Sequence, residues 1–140
     1  MTLKINSLCP DFTADTAKRG GSSSAKYVTK PINLTNDSTA LDIRLSAYVP
    51  TSSEIEMYFR TTAADDARSV KDLVWTPFND DGSPDTAVTP SDDNFTFKEH
   101  KFSASSLSGF TAFQLKVVLT GTNSSYPPLL KDMRGIALAV

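Results

Sequence analysis

The sequence predicts an all-β protein, an antiparallel β-sandwich of jelly-roll-like architecture, on three observations. From residue 25 onward, apolar side chains recur at every second position in several runs, which is the period of a strand with one buried face. Clusters of Pro, Gly, Ser and Asp separate these runs and are typical of turns. No segment has a sustained apolar repeat of helical period. Six or seven short strands without helices favour a sandwich, and an immunoglobulin-like sandwich is the alternative, because that fold does not require a cysteine pair.

A glycine- and serine-rich tract divides the 140-residue chain into two parts, an N-terminal arm (residues 1–24) and a β-sandwich domain (residues 25–140). The second part is long enough to bury a core without disulfide or metal support. The arm is predicted to be either flexible or docked on a partner. Its apolar residues are the candidate partner-docking residues: Leu3, Ile5, Leu8 and Phe12.

The first half of the domain contains three predicted strands. The run at 26–34 contains Pro31, which predicts an edge position or a bulge. The runs at 40–49 and 54–61 alternate most regularly, and the short segment between them, residues 50–53, predicts a hairpin. The inward face of these two runs and of a later strand gives the predicted core: Leu41, Ile43, Leu45, Ile55, Met57, Phe59, Leu115, Val117 and Leu119.

The second half begins with a looser region. Residues 63–71 contain helix formers and predict a short helical turn, and residues 79–85 have the composition of a turn. Strands are then predicted at 95–102, 110–122 and 129–140. In the last strand, large and small side chains alternate, with Ile136, Leu138 and Val140 on one face and Gly135, Ala137 and Ala139 on the other. This pattern predicts a strand covered by its neighbours, so the C-terminus is expected to be internal to the fold.

The overall composition disfavours several classes of partner. The net charge is −2 and the pI is about 5.3, so the basic surface of a nucleic-acid-binding protein is not expected. No apolar run approaches the ~20 residues that a bilayer crossing needs, and the N-terminus does not resemble a signal peptide. Cys9 is the only cysteine, so neither an intrachain disulfide nor a thiolate metal cluster is expected from this chain alone.

Few residues suggest chemistry, and we expect neither an enzyme nor a cofactor. His100 lies in an alternating run without a nucleophile motif and is interpreted as structural. A glycan hydrolase would need paired carboxylates that the sequence does not single out. The acidic pairs Asp80/Asp81 and Asp92/Asp93 suit Ca²⁺ by ligand type but not by spacing. They are interpreted as solvated turns, and no metal is expected.

Three parts of the domain carry a resemblance. One is the start Tyr27-Val28-Thr29-Lys30, and a second is a strand ending near Pro50 with the following run Glu54, Ile55, Met57, Tyr58. The third combines Phe113, Leu115 and Lys116 with the closing run Lys131, Asp132, Met133, Arg134, Ile136, Ala137, Leu138. Over residues 25–138 this pattern resembles a β-module in virion structural proteins of tailed phages, especially cyanobacterial myoviruses. Val49 and Ser52-Ser53 depart from that pattern at the predicted hairpin.

The resemblance implies a non-enzymatic structural component of a tailed-phage virion that attaches to or decorates the tail, baseplate, fibre or head. Its partners would be other virion proteins, it would be a homo-oligomer or present in many copies, and it would be located in the virion after synthesis in the host cytoplasm. The motifs are structural, so no functional residue is transferred. The alternative is a carbohydrate-binding module that recognises host-surface glycan by stacking aromatic side chains on sugar rings: Tyr48, Tyr58, Trp75 and Tyr126.

Overall fold

The computed structural model of the chain describes residues 25–91, 96–123 and 126–139. The arm with its four docking candidates, the pair Asp92/Asp93 and Val140 lie outside the described residues. The described residues form eight strands: β1 Lys26–Val28, β2 Ile32–Ser38, β3 Ala40–Tyr48, β4 Ser53–Thr62, β5 Thr76–Pro77, β6 Lys98–Ala104, β7 Phe110–Gly121 and β8 Leu129–Leu138.

The strands form two antiparallel sheets packed face to face, so the predicted β-sandwich is confirmed. In the five-stranded sheet, β7 lies in the centre, with β1 and β2 on one side and β4 followed by β5 on the other. In the three-stranded sheet, β3 lies between β6 and β8. The predicted first strand is two strands separated by residues 29–31, where Pro31 interrupts the pairing.

The predicted hairpin between β3 and β4 is wrong, because these strands belong to different sheets. Their connection crosses from one sheet to the other, and within it the Ser53 N–H donates a hydrogen bond to the Pro50 carbonyl at 3.0 Å. The alternation of apolar and polar residues specifies which face of a strand is buried, but it does not specify which strand lies beside it. Here the apolar faces of β3 and β4 meet across the space between the sheets.

The predicted core is confirmed. Eight of the nine predicted residues are buried, and Leu119 is partly buried and packs against them. Four further phenylalanines complete the same cluster: Phe78, Phe102, Phe110 and Phe113. The Phe78 ring lies 4.7 Å from that of Phe59 and 5.9 Å from that of Phe102, so it bridges the two sheets.

The predicted helical turn in the middle region is reduced to one 3₁₀ turn at Val70–Asp72, and a second 3₁₀ turn follows at Phe78–Asp80. Between them β5 contains only two residues. This region covers part of the outer face of the five-stranded sheet, where Trp75 packs with Tyr58 and Val118. None of the helical segments in the described ranges has the length and apolar character required to cross a membrane.

Candidate functional site

The C-terminal strand β8 is an edge strand, and the prediction that it is internal to the fold is wrong. Within the described residues it pairs only with β3. The large side chains of its apolar face point outward, with Ile136 59% exposed and Leu138 42% exposed. Apolar residues on both faces are typical of a buried strand, but they also occur on an edge strand that contacts another molecule.

The small residues of β8 face the core for a steric reason. Gly135 lies opposite Ile43 of β3, and a Cβ atom at Gly135 would lie 2.9 Å from the Ile43 Cδ1 atom. A larger residue at this position would require the terminal methyl group of the fully buried Ile43 to shift. Ala137 also packs against the core. Because alternate residues of a strand point to opposite faces, Ile136 and Leu138 point away from the core.

Charged side chains occupy the middle of the same outer face. Glu99 of β6 accepts a hydrogen bond from Arg44 at 2.9 Å and another from Arg134 at 3.1 Å. The hydrogen bond from Arg44 lowers the pKa of Glu99 below its ordinary value. Glu99 therefore bridges two arginines that lie directly opposite each other on β3 and β8. The outer face of the three-stranded sheet has a charged centre, and on β8 an apolar end formed by Ile136 and Leu138.

The other edge of this sheet, on β6, is covered by the loop that precedes it. The Asp85 N–H donates to the Lys101 carbonyl at 2.8 Å, and the Asp85 carboxylate accepts from the Ser103 N–H at 3.0 Å and from its hydroxyl at 2.6 Å. Burial alone would raise the pKa of Asp85, but hydrogen bonds from Ser103 and Asn79 outweigh it and lower the pKa. Asp85 thus occupies hydrogen-bonding positions at Lys101 and Ser103 that an added strand would need.

The edges of the five-stranded sheet are also poorly suited to strand addition. On one side β5 is two residues long and ends with Pro77, which has no N–H to donate. On the other side β1 and β2 are separated at residues 29–31, and the β2–β7 register shifts between Asn33 and Ser38. Breaks, prolines and short strands are common ways of blunting an edge. Among the described edge strands, β8 is the longest one without proline.

A cavity opens beside β8, between the two sheets. Its volume is about 350 Å³, and it is lined by Tyr27 of β1, Leu45 of β3 and residues 130–133 of β8. The Tyr27 side chain is 52% exposed. The side of the sandwich that carries the β8 edge therefore also exposes apolar surface from the opposite sheet.

Most of the aromatic side chains proposed to stack on glycan are buried. Tyr48, Tyr58 and Trp75 are 1%, 9% and 3% exposed, and only Tyr126 is exposed, at 45%. Tyr58 and Trp75 surround the fully buried Lys116, whose Nζ atom lies 4.6 Å and 5.1 Å from the two ring centres. On the outer face of the five-stranded sheet, these rings therefore pack against a cation within the protein.

Arg60 extends this aromatic–cation cluster. Its guanidinium carbon lies 4.1 Å from the centre of the Trp75 ring. The same guanidinium donates to the Gln114 side-chain oxygen at 2.6 and 2.9 Å and to the Lys71 and Leu73 carbonyls at 3.0 and 2.9 Å. These bonds attach the 3₁₀ turn at Val70–Asp72 and the residues after it to the sheet. The aromatic residues at this place are part of the packing of the fold.

His100 lies at a second cavity, of about 380 Å³, whose lining includes Glu54, Glu56 and Asp81. The histidine is 5% exposed, and its Nδ1 atom lies 3.1 Å from the Lys98 carbonyl oxygen. Burial lowers the pKa of His100, so the neutral imidazole is favoured. These contacts agree with the structural interpretation of His100.

The acidic turn at 79–85 bonds mainly to itself and to β6, as the turn interpretation predicted. Asp81 accepts a hydrogen bond from the Ser83 N–H at 2.9 Å, and Asn79 donates to the Ser83 carbonyl at 2.8 Å. Asn79, Asp80 and Gly82 have positive φ values of 52°, 69° and 86°, which are common for these residue types in tight turns. In the part of the chain that the structure describes, no group of three or more His, Cys, Asp or Glu residues could hold a metal ion.

The β8 edge is thus the strongest candidate for a functional surface in the described part of the chain. Sequence reasoning missed it because the pattern of β8 suits a central strand as well as an edge strand. The sequence-level candidates Leu3, Ile5, Leu8 and Phe12 lie outside the described residues, so their role stays a prediction. Comparison of the chain with protein-family models, with curated proteins and with solved structures finds no match.

Proposed function

We propose that the chain is a non-enzymatic structural component of a tailed-phage virion that assembles through protein–protein contacts. The observation that carries the assembly function is the β8 edge, a ten-residue proline-free strand with Ile136 and Leu138 exposed on its outer face. The resemblance of residues 25–138 to the phage β-module supports the virion as its setting.

The physical argument rests on what an edge strand presents to its surroundings. Backbone N–H and C=O groups along an edge form a template for another strand, and exposed apolar side chains beside them add a favourable burial term. Each well-buried Leu or Ile side chain contributes roughly 1.5–3 kcal/mol. Within the described residues, the β6 edge is partly covered by Asp85, β5 is short and the β1–β2 edge is interrupted, so β8 is the edge best suited to a partner.

The partners in this proposal are other virion proteins and further copies of the chain itself, and nucleic acid and membrane are not among them. The site of attachment is the tail, baseplate, fibre or head of the particle. The N-terminal arm would provide a second contact through its four apolar residues, since a short segment gains enough from burying them to offset its ordering. The burial of three of the four candidate stacking aromatics gives less support to the glycan-binding alternative.

The test is the composition of intact particles. Particles of the phage that encodes the chain are purified on a density gradient and analysed by quantitative mass spectrometry. If the proposal holds, the chain is present in a fixed ratio to the major capsid protein, and the ratio survives a high-salt wash. A chain found only in the soluble fraction of the lysate contradicts the virion assignment.

A further inference from the structure

We propose that the β8 edge binds the β8 edge of a second copy of the chain, so that two three-stranded sheets join into one continuous six-stranded antiparallel sheet. The twofold axis passes through Ala137. This inference rests on the proposed assembly function and names the partner at that edge.

Strand addition at β8 follows from the contrast between the two edges of the same sheet. At β6, Asp85 binds the Lys101 carbonyl and the Ser103 N–H and hydroxyl, and so blocks the pairing of an added strand at these two residues. At β8, no described residue occupies the corresponding positions. The exposed apolar side chains also lie on β8, where a neighbouring strand would cover them.

The side-chain pattern of β8 favours a second copy in one register. In a twofold pairing, residues at equal distances from the axis lie opposite each other and on the same face of the sheet. With the axis at Ala137, Ile136 lies opposite Leu138 of the second copy, and Leu138 lies opposite Ile136 of the second copy. The two exposed apolar side chains of each copy then contact each other in two equivalent pairs.

Registers with the axis at Arg134, Gly135 or Met133 satisfy the same side chains less well. An axis at Arg134 places that arginine opposite itself, and like charges directly opposite each other are destabilising. An axis at Gly135 places Ile136 opposite Arg134 and Leu138 opposite Asp132. An axis at Met133 brings Ile136 opposite Leu130, which faces inward because the register with β3 shifts between Asp132 and Leu130. The Ala137 register pairs apolar side chains with each other and avoids like charges.

The core-facing side of the two paired β8 strands is compatible with the register centred on Ala137. Ala137 lies opposite itself and Gly135 lies opposite Ala139, so no large side chain from either copy enters the junction from the core side. The cavity lined by Tyr27, Leu45 and residues 130–133 lies further along β8, on the same side of the sandwich. The core of each copy therefore needs no rearrangement to accept the second strand.

A charge-complementation experiment on the full-length chain tests the pairing and its register. Ile136→Lys and Leu138→Glu are made separately, and dimer formation is measured by sedimentation equilibrium with circular dichroism as the folding control. Each variant alone is expected to weaken the dimer by ~10-fold or more, because both equivalent apolar pairs are lost. An equimolar mixture is expected to form a heterodimer, because the introduced lysine lies opposite the introduced glutamate while the second pair stays apolar.

The matched control is Val74→Lys, which makes the same kind of change at an exposed apolar residue, 45% exposed, away from β8. It is expected to dimerise like the unmodified chain. The proposal is overturned if the unmodified chain stays monomeric up to about 1 mM, if the two β8 variants dimerise normally, or if their mixture shows no recovery.

Failure of the β8 pairing can be distinguished from failure of the virion assignment. A chain that enters particles but is monomeric in solution contradicts the β8 pairing alone. A chain that forms the β8-dependent dimer but is missing from particles contradicts the virion assignment alone.

Discussion

The buried side chain of Ile43 influences which residue can lie opposite it on the exposed edge strand β8. It is fully buried in the centre of β3, and its Cδ1 atom lies 2.9 Å from the position that a Cβ atom at residue 135 would take. Gly135 therefore lies on the core-facing side of β8, and its neighbour Ile136 lies on the exposed face. A single buried contact thus connects the packing of the core to the proposed docking surface.

Replacing Ile43 with alanine is expected to lower the free energy of unfolding by about 2–5 kcal/mol, from lost burial and the cavity left behind. Urea denaturation followed by tryptophan fluorescence measures this, since Trp75 is buried. Val74→Ala is the control and should change stability by less than about 0.5 kcal/mol, because Val74 is exposed. An Ile43→Ala variant as stable as the unmodified chain contradicts the position of β3 in the core.

His100 gives a pH dependence whose sign follows from its burial. Its pKa is lowered in the folded state, mainly by desolvation, so the unfolded chain takes up a proton at higher pH than the folded chain does. Stability is therefore expected to fall as the pH drops from about 6.5 through the folded-state pKa. The thermal midpoint of the unmodified chain should decrease between pH 7.5 and 5.5, and that of His100→Gln should decrease less.

Asp85→Asn is the control for this measurement. The pKa of Asp85 is lowered, so its contribution is lost only at lower pH, as the pH falls below about 4. The decrease between pH 7.5 and 5.5 should therefore persist in this variant. If the thermal midpoints of His100→Gln and of the unmodified chain decrease equally between pH 7.5 and 5.5, His100 is not the origin of the pH dependence.

At the scale of elements, the sequence predicted strands better than it predicted their neighbours. Alternation located β3, β4, β6, β7 and β8 and identified the buried face of β3 and β4, because side-chain periodicity is a local property. The partner of a strand is a property of the whole fold, so β3 and β4 were wrongly paired as a hairpin. The edge position of β8 was missed for the same reason, since its sequence does not say how many neighbours it has.

The loop around Asp85 is the element that distinguishes the two edges of the three-stranded sheet. Asp85→Ala removes the carboxylate that binds the Ser103 N–H and hydroxyl, and it is expected to cost about 1–3 kcal/mol because a charged acceptor is lost. Hydrogen exchange of the Ser103 amide should become faster, since that N–H is left without its acceptor. Asp81→Ala is the control, because Asp81 accepts a hydrogen bond from Ser83 of its own loop and not from β6. Unchanged exchange at Ser103 in Asp85→Ala would show that this loop does not close the β6 edge.

Considered as a whole, the described strands include one long continuous edge, β8, and three edges that are short, interrupted or partly covered. The core and the fold class could be predicted because they depend on composition and periodicity, which a single sequence contains. The proposed docking surface could not, because it depends on which strands lie at the edges and on where Asp85 folds back. The docking role of Leu3, Ile5, Leu8 and Phe12 stays a prediction.

Hydrogen exchange of the full-length chain at different protein concentrations tests the docking role of β8 most directly. Exchange of edge amides is slow only when a partner strand protects them. If β8 is the docking edge, the amides within 135–139 that point away from β3, at every second residue, exchange more slowly as the concentration rises, while the amides of β6 at 98–104 exchange at an unchanged rate. Exchange at 135–139 that is the same at every concentration, or protection that appears at another edge instead, would contradict the assignment of β8 as the surface through which this protein assembles.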